Sequence, residues 1–81
     1  MKSPPPGQEF SLQLIAVGSA VRALRKEMGM SQEELAHFAE IDRSHMGKIE
    51  RGERNVSFAN IMRISVALRC APSTLFLQAG L

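Results

Sequence analysis

The stretch from Ser31 to Asn55 reads SQEELAHFAEIDRSHMGKIERGERN, and its spacing decides how the chain folds. Ser31 is a good N-cap, and Glu34 follows at the capping-box spacing. Leu35, Ala36 and Ala39 then give a short helix a narrow apolar stripe. That helix is expected to end near Ala39. Asp42 offers a second N-cap, Met46 and Ile49 place apolar groups at i and i+3, and Gly52 terminates the second helix. Two short helices joined by so little chain cannot lie antiparallel and pack face to face. They must cross at a steep angle.

The second helix has two chemically different sides. Met46, Ile49 and Glu50 fall on one, while Arg43, Ser44, Gly47, Lys48 and Arg51 fall largely on the other, so one side can be buried while the other offers donors to a polyanion. With the steep crossing, this is helix-turn-helix geometry. SQEELA, a short turn region and KIERGERN together resemble the Cro and phage-repressor type helix-turn-helix family, also called the XRE family, over roughly Val17 to Phe76. The resemblance implies an all-α, compact five-helix lambda-repressor-like DNA-binding domain. It would occupy residues 10–81, with the helix-turn-helix motif at 32–51 and a flexible Pro-rich tail at 1–9.

The same resemblance assigns residues. Arg43, Ser44 and Lys48 match family base-contact positions. Arg43 can donate a bidentate pair to guanine, Ser44 can meet a base edge or phosphate, and Lys48 can reach guanine or phosphate from the same side. Gln32, in the first turn of its helix, and Arg54 and Asn55, in the loop after Gly52, match positions that hold phosphate and fix register without reading sequence. Gly47 lies on the face of Arg43, where the family often has Ser, and its missing side chain would let backbone come close to DNA. Arg25, in the L-R-x-x-x-G stretch, is expected to pair with Glu50 of the I-E-x-G stretch, tying the first helix to the recognition helix. The turn departs from the family at Glu40, where Gly is common. If positive φ is needed there, Glu holds it at a cost of roughly 1 kcal/mol.

Working outward, Phe10, Leu14, Val17, Val21, Leu24 and Met28 recur at helical spacing, so the spacing predicts a first helix from about Ser11 to Met28, with Gly29 at its C-terminal cap. Leu12 and Ile15 lie off this seam and read as core or as part of a subunit contact. Gly18 weakens the helix by about 1 kcal/mol relative to Ala, although a small residue also admits a neighbouring backbone. Ser57 caps a fourth helix carrying Phe58, Ile61, Met62, Ile64, Ser65 and Leu68 on or near one face. If buried, the Ser65 hydroxyl can bond back to the preceding turn. Pro72 and Ser73 open a last helix running through Ala79. That helix is apolar nearly all round, which leaves Leu77 and Leu81, with Met62 and Val66, as the expected dimer contact. The alternative is a monomer with scattered surface leucines.

Composition bounds the function. The chain of 81 residues holds one domain, and its net charge of +2 is too small to name a partner by itself. Placement matters more, because Arg43, Lys48, Arg51 and Arg54 cluster within one short stretch. Cys70 is alone, which excludes an intrachain disulfide and favours a reducing cytoplasmic setting. No metal-ligand spacing, phosphate loop, nucleophile-base set or membrane-length apolar run is present, so the expectation is no enzyme, no cofactor, no metal, no small-molecule ligand and no membrane partner. The leading reading is a sequence-specific regulator that binds double-stranded DNA as a homodimer on a pseudo-palindromic operator. By length and five-helix layout it resembles restriction-modification controller proteins and Cro-like repressors. An antitoxin that represses its own operon uses the same chemistry, and a protein-interaction module using the same fold is the alternative class.

Overall fold

Side chains set three of the five helix starts. The computed structural model describes residues 9–81, which form α1 (Ser11–Glu27), α2 (Gln32–Ala39), α3 (Arg43–Glu50), α4 (Phe58–Ala67) and α5 (Pro72–Gln78), with no strand among the described residues. The Pro-rich segment read at 1–9 lies, apart from Glu9, outside the described residues. At α2 the capping box is complete: Ser31 Oγ accepts from the Glu34 amide at 3.0 Å, and Glu34 Oε1 accepts from the Ser31 amide at 3.0 Å. At α3, Asp42 Oδ2 accepts from the amides of Ser44 at 3.0 Å and His45 at 3.3 Å. At α4, Ser57 Oγ accepts from the Asn60 amide at 3.1 Å. Each cap satisfies amides that have no carbonyl partner within the helix.

The turn between α2 and α3 is closed by Glu40 in the left-handed conformation, at φ 57° and ψ 41°, with the Ile41 amide donating to the Ala36 carbonyl at 2.9 Å. The helix therefore ends where the spacing places it, and a non-glycine residue holds the reversal.

One core joins all five helices. Leu35, Met46, Ile49, Ile64 and Leu75 are fully buried, together with Val21 of α1. Burying each such side chain is worth about 1.5 to 3 kcal/mol, so this cluster dominates the driving force for folding. α1 packs against α3 and α5, and α2 packs against α3 and α4. Ser65 is buried within α4, and its hydroxyl donates to the Ile61 carbonyl at 2.8 Å, satisfying the group inside the core.

Gly18 is where α1 meets the end of α3. A Cβ built there would stand 2.8 Å from the Glu50 carbonyl carbon and closer still to the carbonyl oxygens of Ile49 and Glu50. The close approach of another backbone, and not helix propensity, accounts for glycine at this position. Gly52 ends the α3 region with φ +72°, and its α-carbon faces Ile15 so closely that a Cβ would lie 2.6 Å from the Ile15 α-carbon.

The apolar seam of α1 is shorter than its periodicity implies. Phe10 precedes the helix in a left-handed conformation and is 74% exposed, and Met28 is exposed at the other end. Neither end is enclosed by the core among the described residues. Leu12, off the seam, is exposed and not core. In α4 the same correction applies to Phe58, exposed at the first helical position, and to Met62, which turns away from buried Ile61 and Ile64. The first helix ends at Glu27 with Met28 as its cap residue, and the last ends at Gln78 with Ala79 as its cap residue.

Candidate nucleic-acid interface

Two neighbouring helices build the interface. The Asp42 cap fixes the start of α3, and burial of Met46 and Ile49 fixes its roll, so that Arg43 and Ser44 are exposed on the first turn and Lys48 is half-buried further along. Gln32, at the start of α2, lies beside them. Gln32, Arg43, Ser44, Gly47 and Arg51 line one open cleft between the two helices.

Beneath the cleft runs a buried charge network. Arg25 Nε donates to Glu50 Oε2 at 2.8 Å and Arg25 Nη2 to Glu50 Oε1 at 3.0 Å, a two-point fork between α1 and α3. Both residues are over nine-tenths buried. Arg25 Nη1 also donates to the Met30 carbonyl at 2.9 Å, and Gln32 Nε2 donates to Glu50 Oε1 at 3.2 Å. Glu50 therefore receives bonds from α1 and α2 while belonging to α3. One carboxylate ties the three helices that position the cleft.

The link from Gln32 to Glu50 adds to the sequence reading, in which Gln32 was assigned only to phosphate. A residue separation of 18 carries no periodic signal that could have exposed it. The remaining Oε1 of Gln32 lies over Gly47, where a Cβ would stand 3.3 Å from it and 3.1 Å from Arg51 Nη1. Gly47 is thus buried as the floor of the cleft, covered by these two polar side chains.

Arg51 occupies the C-cap of α3, and it does more there than complement the helix dipole. Its Nε donates to Glu53 Oε1 at 2.9 Å and its Nη2 to Glu53 Oε2 at 3.3 Å, across an exposed pair. The hydrogen bond from Arg51 holds the Glu53 carboxyl below the usual carboxylate range, with the charges of Arg51, Lys48 and Arg54 acting in the same direction. Arg54 and Asn55 are exposed in the loop that leads to α4. Spacing alone does not reveal the Arg51–Glu53 fork, because it forms only after Gly52 reverses the chain.

The residues assigned to a dimer contact lie on α4 and at the end of the chain. Leu77 is 78% exposed, Val66 72%, Leu81 56% and Met62 37%. Met62 and Val66 flank the exposed ring of Phe38 on α2, an apolar neighbour that the narrow stripe of α2 did not bring out. Cys70 is partly buried, and burial pushes its thiol up, away from the reactive thiolate. No group of His, Cys, Asp and Glu among the described residues could hold a metal ion, and no helix there is long and apolar enough to cross a membrane.

A profile of the helix-turn-helix family matches residues 21–75. The chain is 46% identical over 59 residues to control protein C.BamHI of Bacillus amyloliquefaciens, covering 72% of this chain and 73% of that protein. It is 36% identical over 63 residues to the competence pilus inhibition repressor of Acinetobacter baylyi, covering 78% of this chain but only 57% of that repressor. In structure it is similar to the restriction-modification controller protein C.AhdI from Aeromonas hydrophila. The TM-score is 0.75 at 45% identity, covering 76% of this chain and 94% of that one. The chain belongs to the XRE-type helix-turn-helix family of DNA-binding transcription regulators, which is a regulatory and not an enzymatic family.

Proposed function

We propose that this chain is a sequence-specific transcriptional regulator of the restriction-modification controller or repressor type, working in the cytoplasm as a homodimer on a pseudo-palindromic operator. The observation that carries the reading is the two-sided α3: Met46, Ile49 and Glu50 are buried while Arg43 and Ser44 stand out beside the open cleft. Arg43 and Lys48 read guanine edges, and Ser44 meets a base edge or phosphate. Gln32, Arg54 and Asn55 hold phosphates on either side and set register. Gly47, covered here by Gln32 and Arg51, would let the duplex approach the floor of the cleft once those two side chains turn to the phosphates. The Arg25–Glu50 fork holds α3 at the angle that presents these groups.

Leu77, Leu81, Met62 and Val66 supply the apolar surface of the homodimer. Two copies related by a twofold axis would set their recognition helices about 34 Å apart, one duplex turn, which is what an inverted repeat demands. The relatives named control proteins and repressors support the regulatory assignment. No catalytic step, cofactor or small ligand belongs to this reading.

Selection of binding sites from random duplex DNA, with the mass of the complex recorded, tests it. The expected result is an enriched inverted repeat bound by two chains, with affinity falling roughly a thousandfold or more between 50 and 200 mM salt if about 6 to 10 phosphates are neutralised. No enriched sequence, with weak and salt-insensitive association, would reject DNA reading in favour of a protein-interaction module.

A further inference from the structure

Arg51 lines the same cleft as Arg43 and Ser44, and both of its fork donors are already taken. They are taken by a carboxylate in nearly the geometry that a phosphate, or the paired acceptors of guanine, would offer: Nε to Oε1 at 2.9 Å and Nη2 to Oε2 at 3.3 Å. Nη1 meanwhile lies over Gly47, on the cleft floor. We propose that Glu53 is a specificity-setting residue that acts as an internal stand-in for a nucleic-acid acceptor, occupying Arg51 until a duplex of the right shape replaces it. This inference rests on the DNA-binding reading above and deepens it.

The physical argument is one of competition. Arg51 and Glu53 are both about half exposed, so the pair is solvent-screened and readily exchanged. A duplex that seats fully in the cleft brings an acceptor to Arg51, and the carboxylate swings out to water. A duplex that seats poorly leaves the fork closed, so that Arg51 is withheld from its phosphates. Glu53 therefore lowers affinity for every sequence, and lowers it most for sequences that cannot complete the exchange. Discrimination by an added repulsive element is a general route to specificity.

The test compares wild type with Glu53→Gln on the operator found by selection and on a random-sequence duplex, each over a range of salt. Both side chains are exposed, and thermal melts of the variants check that the fold is kept. In Glu53→Gln, affinity for random duplex is expected to rise several-fold more than affinity for operator. The salt slope on random duplex should steepen by about 0.9, the value of one added phosphate contact. The same comparison in an Arg51→Ala background separates competition from plain repulsion. Glu53→Gln should then give a smaller gain, alike on operator and random duplex, because no fork remains to be released and only the repulsion of the carboxylate itself is lost.

An equal gain from Glu53→Gln with and without Arg51 would overturn the proposal, since Glu53 would then act only as a surface charge. An unchanged ratio of operator to random affinity in a chain that binds duplex would overturn it as well, while leaving the DNA reading intact. A chain that binds no duplex with either residue at this position fails the functional reading, and the inference falls with it.

Discussion

At the residue scale, Glu50 shows how a small net energy can carry a large structural consequence. Its fork with Arg25 removes two charges from water, and replacing such a pair by apolar groups of similar size is often neutral or better. Removing one partner is another matter, because the other charge stays buried. Glu50→Ala is therefore expected to destabilise the fold by about 3 to 5 kcal/mol in thermal or denaturant unfolding, whereas Arg25→Met with Glu50→Leu together recover most of the loss. An unchanged melting temperature in Glu50→Ala would show the fork to be idle. The exposed arginines are expected to divide by role. Arg43→Ala should cost about 1 to 3 kcal/mol on operator DNA and relax preference at one base pair, while Arg54→Ala should weaken all duplexes alike, both read by titration on operator and random DNA. Of these groups, the exposed placing of Arg43 and Arg54 at the start of α3 and in the loop after it was legible in the sequence, because apolar spacing and charge placement coincide. The bond from Gln32 to Glu50 was not, since it joins two helices whose relative placement only the packed core determines.

At the scale of the element, the caps at Ser31, Asp42 and Ser57 were legible because each is a local contest for free amides, settled within a few residues. The ends of the apolar seams were not. Periodicity says which residues share a face, but not how far along it the core reaches, and Phe10, Met28 and Phe58 are exposed at or beside helix ends. Gly18 sets two effects against each other. Helix propensity favours Ala there by about 1 kcal/mol, but a Cβ would press into the backbone of α3, and overpacking of this kind typically costs about 1 to 3 kcal/mol. Since the obstacle is carbonyl backbone and not a movable side chain, the clash should win. Gly18→Ala is expected to lower stability and to reduce operator affinity at temperatures where the protein stays folded, because relief requires α3 to shift. A melting temperature equal to or above wild type would mean that the crossing of α1 and α3 is looser than its geometry indicates.

For the whole molecule, exposed apolar groups gather in two places. Phe10 and Phe58 flank a hollow also lined by Leu14, Val17, Val56 and Phe76, while Phe38, Met62 and Val66 meet across α2 and α4. Leu77 and Leu81 extend the apolar surface at the end of the chain. Leu77→Glu removes nothing from the core, so the homodimer reading expects it to shift sedimentation toward the monomer and weaken operator binding while leaving the helical content of the fold unchanged. A variant that still sediments as a dimer would place the subunit contact elsewhere. The apolar character of the last helix signalled exposed leucines, but the side of the fold on which each group emerges depends on all five helices together.

α1 touches both α3 and α5. On the proposed reading, a duplex seated on the outer face of α3 and a second copy seated against α5 would both bear on α1, the element common to the two packings. The molecule works like the body of a calliper whose jaws are cut from a single bar. If both faces work as proposed, the offset between them is set during folding, which would leave little slack for targets spaced at other intervals.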